Sequence, residues 1–225
     1  MRPFVLVNVA VSADGKLSTI ERRQVKISGS DDFDRVDAIK AGADAIMVGI
    51  GTVLADDPSL TVKSDLRIGD RMSLGMPEHP IRIIVDSSAR TPPDAKILHK
   101  GPGKRIIAVS RAAAPEKIEA LRPFADMIVS GEEVVDLAGL LEELGRRGIG
   151  RLMVEGGGTL IGGLFSIGAV DQLTMFMGNM IIGGRDAPTL VDGPGFIKED
   201  QFQRLDLVSA ISMDEGILIT WKIRK

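Results

Sequence analysis

Short apolar runs alternate with helical patterns along most of this chain, and this alternation constrains the fold more than any other feature. Six runs predict buried strands, at 4–11, 44–49, 81–86, 105–109, 126–129 and 152–154. Helices are predicted between several of them, at about 32–41, 115–121 and 136–147. Strands that are apolar on both faces and separated by helices are typical of an α/β fold with a mostly parallel central sheet flanked by helices.

The C-terminal part of the chain follows a different pattern. Runs at 172–177, 204–208 and 216–222 have no clear helices between them, and they predict antiparallel C-terminal strands added to the sheet. The polar stretch 63–80 is the longest predicted loop, and Ser30, Asp31 and Asp32 form a predicted helix cap. Because the 225 residues contain no internal repeat and no visible boundary, residues 1–225 are predicted to form a single domain.

A glycine-rich turn lies between the run 151–155 and a predicted helix that ends near Gly168. This glycine turn consists of Gly156, Gly157, Gly158 and Thr159. Glycines let a backbone approach a phosphate closely, and a helix N-terminus offers N–H groups and partial positive charge, so the turn predicts a nucleotide ligand. The alternative is a turn required only for tight strand–helix packing. The spacing fits neither the Rossmann fingerprint nor a P-loop.

Further polar residues follow the predicted strands where these end. Thr52 and Asp56 follow the second strand, and Ser87, Ser88 and Arg90 follow the third. Because parallel strands present their carboxyl ends at one edge, these groups and the glycine turn are predicted to converge on one crevice. The Ser–Arg group is suited to a ribose phosphate, or it is an ordinary polar turn. Thr52 and Asp56 alternatively cap a helical turn at 52–55.

Four more polar residues are candidates for contact with a substrate. Lys40 and Lys63 suit a phosphate, although solvated lysines are the commoner case. Asn8 interrupts an apolar strand, so its side chain either meets a backbone group or faces the crevice. Glu155 precedes the glycine turn and is predicted to bond to N–H groups there or to bind substrate. No general acid stands out, which fits hydride transfer by a cofactor.

Composition excludes several classes of partner. The net charge of −3 and the aromatic content of 4% argue against nucleic acid as a partner. The chain has no cysteine and two isolated histidines, so we expect no metal site. No leader is visible, and the longest uncharged stretch, 156–170, is shorter than the roughly 20 residues that a membrane-spanning helix needs. We therefore expect a soluble cytoplasmic protein without a membrane partner.

Read together, five segments resemble the riboflavin-biosynthesis reductases, and in particular their archaeal members. In family order they are 7–16, 44–62, 84–87, 155–159 and 182–189. The block 49–62 is the most specific, because residues 49–61 read Gly-x-Gly-Thr-x-x-x-Asp-x-Pro-x-Leu-Thr. The resemblance covers essentially the whole chain.

The resemblance implies a dihydrofolate-reductase-like fold in a single reductase domain, and a homodimer. It implies NADPH as the hydride donor, with NADH as a possible substitute. The family reaction reduces the ribosylamino group of a phosphorylated pyrimidinone to a ribitylamino group by hydride transfer to C1′ of the sugar. A dihydrofolate-reductase-like pterin reductase and a non-catalytic NADPH-binding sensor are the alternatives. Bacterial relatives often carry a preceding zinc deaminase domain, which has no counterpart in this sequence.

The motif matches and the residue patterns together give two sets of predicted site residues. The predicted cofactor-binding residues are Thr52, Asp56, Asp86, Ser87, Ser88, Arg90, Val129, Gly156, Gly157, Gly158 and Thr159. The predicted substrate-binding residues are Asn8, Lys40, Leu60, Lys63 and Glu155. Lys40 and Lys63 stand where bacterial relatives carry phosphate-binding arginines, a change that keeps the charge and loses bidentate geometry.

Overall fold

The computed structural model describes residues 1–224. These residues form nine strands: β1 (Phe4–Val11), β2 (Ala45–Gly49), β3 (Ile81–Val85), β4 (Arg105–Val109), β5 (Asp126–Val129), β6 (Arg151–Glu155), β7 (Gln172–Met177), β8 (Leu205–Met213) and β9 (Gly216–Ile223). They also form seven α-helices: α1 (Ser30–Ala41), α2 (Ile50–Asp56), α3 (Asp65–Ser73), α4 (Lys96–His99), α5 (Pro115–Leu121), α6 (Leu137–Arg146) and α7 (Gly158–Ser166). A short 3₁₀ helix covers Glu199–Gln201.

The chain divides into two compact units. The first unit comprises residues 1–3 and 37–153, and the second comprises residues 4–36 and 154–224. Each unit has its own set of paired strands, and α1 and β6 each begin in one unit and end in the other. Within residues 1–224 no helix is long and apolar enough to cross a membrane.

The first unit is a parallel α/β arrangement, as predicted. Its strands lie in the order β5-β4-β3-β2-β6, and β2–β3, β3–β4 and β4–β5 are parallel pairs. The central residues of β2, β3, β4 and β6 are buried and are apolar apart from Arg82, as is typical of strands covered on both faces. In register, Gly49 lies opposite Val85, and Val109 opposite Val129. The carboxyl ends of four strands therefore line one edge.

The second unit contains the antiparallel part of the structure. Its strands lie in the order β6-β1-β7-β9-β8, and β9 runs antiparallel to both β7 and β8. The predicted antiparallel C-terminal strands are thus confirmed. One detail differs, because β7 also pairs with β1 in the parallel sense. The chain reaches β7 through α7, so this connection is a further strand–helix–strand unit.

The predicted loop at 63–80 is wrong over half its length, because it contains α3. Ser64 caps this helix by accepting a hydrogen bond from the backbone N–H of Arg67. Arg71 anchors its last turn, since the buried guanidinium donates to the carbonyl oxygens of Ala41, Ala43 and Pro77. A polar helix held by a buried arginine lacks the apolar stripe on which the sequence prediction depended.

The start of α1 is capped by a residue distant in sequence. The predicted cap of Ser30, Asp31 and Asp32 lies inside the helix, which begins at Ser30. The carboxylate of Asp214, in the turn between β8 and β9, accepts hydrogen bonds from the N–H groups of Gly29, Asp31 and Asp32. Burial alone would raise the pKa of Asp214, but these N–H groups outweigh it and lower that pKa.

Candidate functional site

The edge formed by the carboxyl ends of β2, β3, β4 and β5 carries most of the predicted cofactor residues. Helix α2 begins at Ile50, directly after β2, and no side chain caps it. Thr52 lies within α2 and Asp56 is its last residue, so the alternative interpretation of these two residues as caps is wrong. Both side chains are instead half-buried at this edge.

The adjacent acids Asp56 and Asp57 have different environments. Asp57 adopts a left-handed conformation after α2, accepts a hydrogen bond from the Lys96 N–H at 2.7 Å, and forms an ion pair with the Lys96 ammonium at 3.2 Å. Oδ1 of Asp56 is buried and accepts no hydrogen bond from residues 1–224. Burial raises the pKa of Asp56. A desolvated acceptor of this kind suits a ligand that presents hydroxyl or amide donors.

Hydrogen bonds from buried groups hold the turn after β3. Asp86 is fully buried, and its Oδ2 accepts hydrogen bonds from the N–H and the hydroxyl of Thr91 at 2.7 and 2.8 Å. The Ser87 hydroxyl accepts a hydrogen bond from the Val135 N–H at 3.0 Å, and its carbonyl oxygen accepts one from the Ser110 hydroxyl. The Asp86 side chain therefore holds the turn from inside the protein.

Three predicted cofactor residues are accessible at the same edge. Ser88 and Arg90 are exposed, with Nε of Arg90 3.6 Å from Oδ1 of Asp86. Val129, the last residue of β5, is 51% exposed. Ala89 lies between the two polar residues in a left-handed conformation (φ 51°), which sharpens the turn. An arginine and a hydroxyl presented together suit a phosphate group.

The predicted substrate residues Leu60 and Lys63 lie on one strained segment. Leu60 is buried with a φ of 52°, an uncommon conformation for a branched residue. Asp37 fixes the end of the segment, because its carboxylate accepts hydrogen bonds from the N–H groups of Lys63 and Ser64 and from the Arg67 guanidinium. Strain of this kind persists where the surroundings impose it, commonly at ligand sites.

The charges of Lys40 and Lys100, from two other parts of the first unit, act on Lys63, and these three residues are called the lysine cluster. Nζ of Lys63 donates hydrogen bonds to the hydroxyls of Ser59 and Thr61 at 2.8 and 2.7 Å. Desolvation lowers the pKa of Lys63, the like charges of Lys100 and Lys40 lower it further, and Asp37 opposes them. Lys100 was missed from the sequence, where it is an ordinary loop lysine. Converging cations with hydroxyls beside them can neutralise a phosphate.

The glycine turn lies in the second unit. Gly156 and Gly157 have φ values of 68° and 87°, in the left-handed region that favours glycine. Gly157 occupies the N-cap position of α7 without any side-chain cap, and Thr159 is exposed in its first turn. The backbone at this helix N-terminus has the conformation expected of an anion-binding turn.

Two glycines of the same helix serve packing, as the alternative interpretation proposed. A Cβ on Gly158 would lie 2.3 Å from the carbonyl oxygen of Thr189, and one on Gly162 would lie 2.0 Å from that of Asp192. The Asp192 side chain holds this segment by accepting hydrogen bonds from the N–H and hydroxyl of Thr189. The glycines thus divide between conformation, at Gly156 and Gly157, and close packing.

Asn8 meets a side chain, which neither alternative from the sequence included. Its Oδ1 accepts a hydrogen bond from Arg35 at 2.9 Å, and Arg35 also donates to Oδ1 of Asp32 at 2.9 and 2.6 Å. Asn8 and Asp32 are buried. Arg35 was missed from the sequence because a helix arginine near acids resembles a surface ion pair. Glu155 ends β6 immediately before the glycine turn and is half-buried.

Each unit therefore brings together part of the predicted site. Within the first unit the structure places Thr52, Asp56, Asp86, Ser87, Ser88, Arg90 and Val129 along the strand ends. Leu60 and Lys63 lie on one segment of this unit, and the charge of Lys40 acts on Lys63. Within the second unit Glu155, Gly156, Gly157, Gly158 and Thr159 are consecutive, and Asn8 lies in β1. The roles of these residues stay predictions.

Solved structures share this fold. The RibD of Acinetobacter baumannii superposes with a TM-score of 0.79 at 24% identity, over 100% of this chain and 59% of that one. A dihydrofolate reductase of Enterococcus faecalis superposes with a TM-score of 0.53 at 10% identity, over 99% and 97% of the two chains. The predicted dihydrofolate-reductase-like fold is confirmed.

Sequence comparison extends the likeness beyond the fold. The 2,5-diamino-6-ribosylamino-4(3H)-pyrimidinone 5′-phosphate reductase of Archaeoglobus fulgidus is 46% identical to this chain over 225 residues, covering 100% of both. The protein of that name in Methanothermobacter thermautotrophicus is 42% identical over 224 residues, again covering 100% of both. A model of the RibD C-terminal domain matches residues 3–219. The resemblance inferred from the five segments is thereby confirmed, and the chain belongs to the RibD C-terminal domain family.

Proposed function

We propose that this protein is the NADPH-dependent reductase that converts 2,5-diamino-6-ribosylamino-4(3H)-pyrimidinone 5′-phosphate to its ribitylamino product. The observation that carries the proposal is similarity to two reductases of that name over 100% of this chain and 100% of each of theirs. The family match extends over both compact units, which supports residues 1–225 as a single reductase domain. The predicted cytoplasmic location stays a prediction.

Each unit, taken by itself, carries groups that suit parts of a dinucleotide such as NADPH, which would supply a hydride when bound. The glycine turn suits a pyrophosphate, because its backbone is free of Cβ atoms at Gly156 and Gly157. The buried Oδ1 of Asp56 suits the hydroxyl or amide donors of a nucleotide. Ser88 and Arg90 are exposed on a rigid turn and suit the 2′-phosphate that distinguishes NADPH from NADH.

The substrate phosphate is assigned to Lys63 and Lys40. The Lys63 ammonium is already oriented by two hydroxyls, so little side-chain freedom is lost when an anion binds. An anchored phosphate fixes the position of the sugar to which it is attached, and binding energy remote from the reacting carbon, C1′ of that sugar, then serves to orient it. Leu60, in the same unit as the two lysines, is assigned to a contact with the remainder of the substrate, and Glu155 stays a predicted substrate residue of the second unit.

We propose a homodimer that forms through β8. This strand is the last in the order of strands in the second unit, and most of its side chains are exposed on both faces. Leu207 and Val208 are 62% and 63% exposed, and Ile211 is 49% exposed. A long apolar edge strand is a template for pairing with another chain. We expect light scattering to find a dimer, and Leu207→Glu to yield a monomer.

The decisive experiment mixes the protein with NADPH and the ribosylaminopyrimidinone phosphate and follows the absorbance of the reduced nicotinamide. A fall that depends on the substrate is the expected result, and NADH measured in parallel gives the cofactor preference. A fall with dihydrofolate alone would replace the proposal with a pterin reductase. Binding of NADPH without turnover of either compound would leave a nucleotide-binding sensor.

A further inference from the structure

Two arginines hold a short loop of the first unit by its backbone. In the loop 100–104, the carbonyl oxygens of Lys100 and Pro102 accept hydrogen bonds from Arg82, and those of Gly101 and Gly103 accept them from Arg105. Four consecutive carbonyl oxygens are thus bound alternately by two guanidinium groups, which lie side by side because Arg82 and Arg105 are opposite each other in β3 and β4.

Holding the loop through Arg82 costs stability, because this arginine is buried. Its side chain is fully buried, its hydrogen bonds go to carbonyl oxygens, and Nε has no partner within residues 1–224. Burial, with a smaller effect of the neighbouring charge of Arg105, lowers the pKa of Arg82 to about 10. A buried charge of this kind costs stability, so the position of the loop it holds calls for a functional reason.

The loop lies against the segment that carries Lys63. A Cβ on Gly101 would be 3.3 Å from the Thr61 side chain and 2.7 Å from Nε2 of His79. The hydroxyl of the same Thr61 accepts a hydrogen bond from Nζ of Lys63. Gly101 therefore fits closely against Thr61, and the charge of the residue before it, Lys100, acts on the Lys63 ammonium.

We propose that Lys100 is a third phosphate-binding residue of the substrate site and that Arg82 and Arg105 are positioning residues for it. The proposal rests on the proposed function in that it takes the ligand to be a sugar phosphate monoester. Such a group carries up to two negative charges and several acceptor oxygens, and two lysines with no arginine do not supply bidentate contacts. A third ammonium, fixed through its own backbone, compensates for that loss.

The first test compares Lys100→Gln with Lys104→Gln, which removes the same charge from the far end of the same loop. Ribose 5-phosphate is the probe, and calorimetry measures its affinity. We expect Lys100→Gln to weaken binding by at least roughly tenfold, as for loss of a charge-assisted hydrogen bond, and Lys104→Gln to have a much smaller effect. Equal effects of the two variants would overturn the proposal, because they would indicate only long-range attraction.

The second test concerns the positioning role. Arg82→Lys keeps the charge but cannot reach two carbonyl oxygens, so we expect it to raise the substrate KM while leaving kcat and the NADPH KM close to wild type. Added to Lys100→Gln, it should raise KM little further, because both changes act on one contact. Fully additive effects would remove Arg82 from this role. Arg105→Lys provides the same comparison at a half-buried position if Arg82→Lys does not fold.

These outcomes separate the inference from the reaction. If the wild-type protein binds ribose 5-phosphate through Lys100 but does not oxidise NADPH with the pyrimidinone substrate, the phosphate site stands and the proposed reaction fails. If the wild-type protein turns over and Lys100→Gln leaves the substrate KM unchanged, the reaction stands and the role of Lys100 is disproved.

Discussion

The glycine turn and the lysine cluster offer an anion two different kinds of partner. The glycine turn is made of consecutive residues, carries no cation and presents backbone in the left-handed conformation that favours glycine at Gly156 and Gly157. The lysine cluster is assembled from three separate segments and presents ammonium groups beside hydroxyls. A backbone site is rigid and keeps a fixed shape, whereas a lysine site provides charge and depends on what orients each side chain.

This difference is the reason for assigning the pyrophosphate of NADPH to the glycine turn and the substrate phosphate to the lysine cluster. A pyrophosphate within a dinucleotide needs close approach along an extended surface, which glycines allow. A terminal phosphate is compact and more highly charged, and point charges suit it. Substitutions should therefore separate the two sites. Replacing a glycine of the turn should weaken the binding of NADPH alone, and replacing a lysine of the cluster should weaken the binding of the substrate alone.

The largest effect is expected from Gly157→Val. A β-branched residue is strained at a φ of 87° and would fill the space of an approaching phosphate, so NADPH binding should be lost while the protein stays folded. Fluorescence of bound NADPH and circular dichroism measure the two properties. Gly168→Ala is the matched control, since its φ is 63° and its Cβ would meet nothing within 4 Å. Normal NADPH binding by a folded Gly157→Val protein would make the turn purely structural.

Lys63→Ala should raise the substrate KM by roughly tenfold or more and leave the KM for NADPH unchanged. The physical reason is loss of a charge already oriented by Ser59 and Thr61. Steady-state kinetics with each substrate varied in turn measures both constants. An equal rise in the two KM values would show that the lysine cluster does not discriminate between substrate and NADPH. The assignment of separate ligands to the lysine cluster and the glycine turn would then be wrong.

Asp56→Asn should change stability and cofactor affinity in opposite directions. Burial raises the folded-state pKa of Asp56 above its ordinary value of 3.8, so ionisation at neutral pH opposes folding; removing the charge should raise the melting temperature. The same change should weaken NADPH binding severalfold, because a buried carboxylate accepts stronger hydrogen bonds than an amide. A higher melting temperature with unchanged NADPH affinity would remove Asp56 from the cofactor site.

The smallest effect is expected at Asp14. Backbone N–H groups bind its carboxylate, as we propose that they bind an anion at the glycine turn. Its carboxylate accepts hydrogen bonds from the Ser12 hydroxyl, the largest influence, and from the N–H groups of Ile182 and Gly183; together they lower its pKa to about 2. Because the folded pKa lies below the ordinary 3.8, this stabilisation is complete above about pH 4 and is lost as pH falls towards 2.

Nuclear magnetic resonance titration of the Asp14 carboxyl measures this pKa directly, and Asp14→Asn should remove the acid-dependent change at Ile182 and Gly183. A pKa near 3.8 in the folded protein would show that backbone N–H groups and one hydroxyl hold an anion weakly here. The backbone site at the glycine turn would then need support from side chains.

Most regular elements could be predicted from the sequence because their signals are local. Helix α5 has the predicted bounds 115–121, and Asp136 caps α6 where the apolar spacing begins. The glycine turn was equally visible, since the conformation of Gly156 and Gly157 depends on their own lack of a side chain. The sequence did not predict the polar helix α3, because the residue that anchors it, Arg71, binds carbonyl oxygens of another segment.

The sequence by itself determined the order of strands and helices, the glycine turn and, through its motifs, the family. Only the tertiary structure decided that the charge of Lys100 acts on Lys63, that Arg35 bonds to Asn8, and that Asp214 caps α1. The reason is physical: period and backbone conformation are properties of neighbouring residues. The partner of a charged side chain is set instead by which distant segments the packed strands bring together.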